Sequence, residues 1–100
     1  MSDAELQPFR ELAAAQQRLA REAAQGCAPE VDIIIRSRCR DVHRSENLLD
    51  GMLSFCFDPG MLLLFKKLCR HYFEIDPTTT AEYVRSYREM WDEDQEGGDE

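Results

Sequence analysis

The sequence predicts an all-α fold, a small bundle of four to five helices with a disordered acidic C-terminal tail. Three observations carry that expectation. Apolar residues recur at three- and four-residue steps through most of the chain. Two Asp-Pro pairs, Asp58-Pro59 and Asp76-Pro77, have the chemistry of helix starts. The final stretch, DEDQEGGDE, holds six acids and two glycines in nine residues, a composition that cannot build a core. Residues 1–91 therefore read as a single helical domain and 92–100 as a tail.

The first helix is expected over residues 7–25. Pro8 suits a first turn, where its missing N–H is not needed; Ser2 and Glu5 have capping-box spacing and allow an earlier start. Leu6, Phe9, Leu12, Ala13, Leu19, Ala20 and Ala23 form an apolar stripe at helical period, and Gly26 supplies a stop. The stripe is rich in alanine and has one aromatic residue. Such a helix packs tightly on the bundle or serves as a dimerising or partner-binding arm.

Pro29 marks a second start. Val31, Ile35, Cys39, Val42, Leu49, Met52, Leu53 and Cys56 keep the helical period. The β-branched run Val31-Asp32-Ile33-Ile34-Ile35 could form a strand, but no second strand exists to pair with it, and helix is preferred. Residues 29–57 are one long helix or two shorter ones, with Ser45 and Gly51 as the places for a break. Helix three follows Asp58-Pro59 to about Tyr72. Met61, Leu62, Leu64, Phe65, Leu68 and Cys69 make it apolar around much of its girth, which places it at the centre of the core. Helix four follows Asp76-Pro77 and carries Ala81, Val84, Tyr87 and Trp91 on one face. Eight of the nine aromatics lie between Phe55 and Trp91, which assigns the bulk of the core to the C-terminal half. The two Asp-Pro sites lie 18 residues apart, with Phe65/Tyr83 and Arg70/Arg88 aligned at that offset. Shared helix-start chemistry accounts for this better than a repeat.

The formal net charge of −8 is unevenly placed: −3 over residues 1–32, +3 over 33–71 and −8 over 72–100. Bulk acidity argues against non-specific nucleic-acid binding by the whole surface. The beginning, MSDAELQPFR, lacks the basic and apolar regions of a signal peptide. No apolar run approaches the ~18 residues of a membrane span. A cytoplasmic protein with Cys27, Cys39, Cys56 and Cys69 reduced is expected.

Chemistry-bearing motifs are weak. On a continuous helix Cys39 and His43 would face the same way, with Cys69 and His71 close together further on. The spacing fits no zinc finger or knuckle, and an i,i+2 pair points apart on a helix. Buried thiols and ordinary histidines are the better account. The same Cys39–His43 pair lacks any sign of an oxyanion hole or a depressed thiol pKa. Gly26, Gly51, Gly60, Gly97 and Gly98 form no phosphate-binding loop. No catalytic residue, metal or cofactor is expected.

Two candidate surfaces remain. Arg36, Arg40 and Arg44 step by four and would form a ladder on a helix, with Arg38 and His43 widening the positive field. Local pairs such as Asp32–Arg36 and Asp41–Arg44 would make this a solvated face; otherwise it contacts a nucleic acid or docks an acidic surface, the chain's own tail included. Tyr83, Tyr87 and Trp91 share one helix and form either core or an aromatic contact patch. The function expected is a non-enzymatic protein-interaction or regulatory module, a homodimer or the binder of a protein partner. The alternatives are a nucleic-acid-associated protein using the Arg36/Arg40/Arg44 face and an acidic inhibitor that mimics DNA.

Overall fold

The computed structural model describes residues 3–91, with side-chain environments from Leu6 onward. Among the described residues there are four helices and no strand: α1 (Asp3–Arg36), α2 (Val42–Leu53), α3 (Pro59–Phe73) and α4 (Pro77–Trp91). The tail expected over residues 92–100 lies outside the described residues. No helix is long and apolar enough to cross a membrane among them.

Helix α1 departs most from expectation. It begins at Asp3, the earlier start that the Ser2/Glu5 spacing allowed, so Pro8 stands inside it, and it runs on through Gly26 and Pro29. The stop at Gly26 and the restart at Pro29 are both overruled. Ala20, Ala24, Val31 and Ile34 are buried, with Cys27 half-buried between them, an unbroken 4-3-4-3 stripe that crosses both residues. A mid-helix Gly and Pro together cost about 4 kcal/mol. Burying Val31 and Ile34 returns roughly 3–6 kcal/mol, and the remaining stripe residues add to that. Tertiary burial thus outweighs two local breakers.

The next break falls at residues 37–41 and not near Ser45 or Gly51; both of those lie within α2. The end of α1 is closed by two backbone bonds, Arg38 N–H to the Ile35 carbonyl (3.2 Å) and Cys39 N–H to the Ile34 carbonyl (3.0 Å). This helix-end motif needs a left-handed residue, and Arg38 supplies it with φ 53°. Glycine usually fills that position, so the stop carried no glycine to announce it. Asp41 then caps α2, its Oδ1 accepting from the Arg44 N–H at 3.2 Å.

Both Asp-Pro starts have the geometry their chemistry requires. Asp58 Oδ2 accepts from Met61 N–H at 2.9 Å. Asp76 accepts from the Thr79 amide at 3.0 Å and the Thr79 hydroxyl at 2.8 Å. Those bonds hold the Asp76 carboxyl below the usual carboxylate range.

Helix α3 packs against each of the other three and is the central element, as its girth of apolar residues predicts. The core is more evenly shared than the aromatic count suggests. Val31 and Ile34 from α1 and Leu49 and Met52 from α2 join Met61, Phe65, Leu68 and Tyr72 of α3. Phe57, Phe73 and Trp91 stay exposed. Polar ties fasten the aromatic ends: Tyr72 O–H donates to Glu46, Tyr83 O–H to Asp50 Oδ1 (2.8 Å), and Trp91 Nε1–H to the Leu53 carbonyl (2.9 Å). Burial and the neighbouring carboxylates push both tyrosine hydroxyls up from their ordinary pKa.

Candidate functional site

Two surfaces distinguish themselves by what covers them. The first is the N-terminal part of α1. A 34-residue helix is about 51 Å long, and the longest dimension of the molecule is 53 Å, so α1 sets that length by itself. Its buried stripe starts only at Ala20. N-terminal to it, Phe9, Leu12 and Leu19 are 71%, 58% and 58% exposed. With Gln16 and half-buried Ala23 they step 3-4-3-4 along one helix face, the spacing by which a helix meets another helix. The radius of gyration, 16.0 Å, exceeds the ~13 Å of a compact 100-residue domain, as an extended arm requires.

The second surface is a groove of 710 Å³ between α3 and α4. Leu62, Phe65, Phe73, Val84 and Tyr87 give it an apolar lining, and Phe65 and Tyr87 approach to 6.0 Å between ring centroids. Lys66, Arg70 and Arg88 stand on its walls with one acid, Glu74. Phe73 is 56% exposed and Val84 37%.

The arginines named from sequence are dispersed by the break at 37–41. Arg36 ends α1 and pairs with Asp32 at 3.2 Å, both side chains exposed, a contact that contributes little. Arg38 occupies the left-handed position, Arg40 lies in the connecting segment, and Arg44 belongs to the first turn of α2. A single helical ladder of Arg36, Arg40 and Arg44 does not form, because the residues lie on three different pieces of backbone. Arg38 and Arg40 instead share a pocket with Ile35, His71, Glu74 and Ile75.

The aromatic candidates are split as well. Tyr83 and Trp91 direct their polar ends onto α2, and Trp91 also meets Phe57 at 5.5 Å. Tyr87 is the one that lines the groove. Cys39 lies in the connecting segment, so the helical Cys39–His43 pairing is lost; Cys39 meets His71 instead, which donates Nε2–H to its carbonyl at 2.9 Å. Burial pushes the Cys56 thiol up to about 11 and the Cys69 thiol, which also feels Cys56, up to about 12. At neutral pH both are protonated and poor nucleophiles. Among the described residues no group of three or more His, Cys, Asp or Glu is placed to hold a metal ion.

Sequence reasoning assigned Phe9, Leu12 and Leu19 to an apolar stripe but could not say which part of the stripe stays uncovered. The α3–α4 groove depends on packing between helices and left no local signal. Compared with known families, curated proteins and solved structures, the chain matches no family model, no curated protein and no solved structure.

Proposed function

We propose that this chain is a non-enzymatic interaction module that self-associates or docks a protein partner through its helical surfaces. One observation carries the reading: the N-terminal arm of α1 presents Phe9, Leu12 and Leu19 to solvent at interface spacing. Singly exposed apolar residues need no explanation, but an ordered row of three on a helix extending past the core does. A helix without tertiary cover is marginal in water, so a partner also accounts for why this segment is helical. In this reading residues 1–91 act as one helical domain in the cytoplasm, 92–100 form an appended acidic tail, and no metal or cofactor takes part.

A photoreactive phenylalanine analogue in place of Phe9 tests the reading in the native cell. It is expected to form a protein adduct at several-fold higher yield than the same analogue in place of Glu82, an exposed residue of α4. Equal yields at the two positions would refute it.

A further inference from the structure

The arm and the groove are two unpartnered apolar surfaces on one molecule, and we infer that each is the other's partner across a reciprocal homodimer. The N-terminal arm of one copy lies in the α3–α4 groove of a second, and the second returns its own. This inference rests on the interaction reading above and names the partner.

Dimensions agree. Residues 3–19 make about 25 Å of helix, and α3 and α4, at 15 residues each, run about 22 Å. An amphipathic helix laid in a hydrophobic groove is a recurrent recognition mode, with anchors at three- and four-residue steps. Phe9 and Leu12 supply those anchors, and Phe65, Phe73, Val84 and Tyr87 the lining.

Charge agrees as well. The groove walls carry three bases against one acid. The arm, residues 3–19, carries three acids, Asp3, Glu5 and Glu11, against two bases, Arg10 and Arg18, a net charge opposite to that of the groove walls. The other acidic segment of the chain, residues 92–100, consists only of Asp, Glu, Gln and Gly. It has no apolar side chain with which to fill an apolar groove, whereas the arm has both the charge and the anchors. The arm does not reach the groove of its own chain, since Phe9, Leu12 and Leu19 remain exposed in the single chain. Reciprocity doubles the contact and closes the assembly at two copies.

Sedimentation equilibrium on the full chain tests the inference. The wild type is expected to reach twice its 11.6 kDa mass with rising concentration. Leu12→Glu and Val84→Glu, each at an exposed position and each checked for native helicity by circular dichroism, are expected to remain at the single-chain mass. In a mixture of carbon-13-labelled and unlabelled wild-type chains, isotope-filtered NOEs are expected between the Leu12 methyls and Val84 or Tyr87. A wild type that stays single at millimolar concentration, a mass that climbs past two copies, or a Val84→Glu chain that pairs normally would each overturn the inference. So would intermolecular NOEs joining Leu12 only to the arm of the other copy. The crosslinking above separates the two readings: an adduct with a different protein and a single-chain wild type would leave the interaction reading standing and remove the homodimer.

Discussion

The two parts of α1 belong to one continuous helix and differ in what they touch. Residues 20–36 bury Ala20, Ala24, Val31 and Ile34 and tolerate Gly26 and Pro29 on the way. Residues 6–19 have larger apolar side chains at Leu6, Phe9, Leu12 and Leu19, yet no residue there is fully buried. Local sequence would rank the first part as the better helix and the better-packed one. Packing decides otherwise, because Val31 and Ile34 lie alongside α2 and α3 while Phe9 and Leu12 lie beyond them. Burial on this molecule follows position relative to the central helix more than side-chain size.

Substitution should expose the contrast at once. Ile34→Ala, at a position with no exposure, is expected to lower unfolding stability by about 2–5 kcal/mol. Leu12→Ala, in dilute solution, should change it by no more than about 0.5 kcal/mol. Denaturant midpoints of the two variants measure this directly; comparable losses would mean that the arm is packed within its own chain.

Alkaline pH should act on the packed part alone. Cys56 and Cys69 hold their protons up to about 11 and about 12 in the fold, against about 8.5 in an unfolded chain. Above that unfolded value the folded state binds more protons, so stability is full below it and falls as pH rises through 11 to 12. The raised Tyr72 and Tyr83 hydroxyls act in the same direction above about 10. Denaturant titrations from pH 8 upward should show the decline, and Cys69→Ala should flatten its slope whatever it does to the level.

A smaller effect is expected at the start of the central helix. Asp58→Ala removes the acceptor for Met61 N–H and should lower stability by about 1 kcal/mol, read as a shift in melting temperature. An effect no larger, and of opposite sign, is expected at Ser45, whose buried hydroxyl finds no hydrogen-bond partner among the described residues. Ser45→Ala removes an unsatisfied group and should be neutral or stabilising by up to about 1 kcal/mol. A clear loss of stability would mean that the hydroxyl is bonded after all.

What could be read from the sequence was whatever short-range chemistry decides. Asp58-Pro59 and Asp76-Pro77 start helices because each cap is made by a side chain bonding three residues on. The centrality of α3 was legible because its apolar residues surround it. The path of α1 through Gly26 and Pro29 was not, since local propensity and tertiary burial point opposite ways there. The end of α1 was hidden because Arg38 stands at the left-handed position glycine normally marks, and that break dissolved the arginine ladder. Of the candidate site, the idea of a partner-binding arm came from composition, but its exposed anchors and the groove required packing that no single segment encodes.

In the proposed reading the arm is a surface awaiting a partner while the rest of α1 is core. Native-state hydrogen exchange along α1, at two protein concentrations, tests it most directly. In dilute solution a step is expected, with weakly protected amides through residue 19 and strong protection from Ala24 to Arg36; at high concentration the arm should gain protection. Strong, concentration-independent protection of residues 9–19 would contradict the claim by showing that the arm is already covered by its own chain.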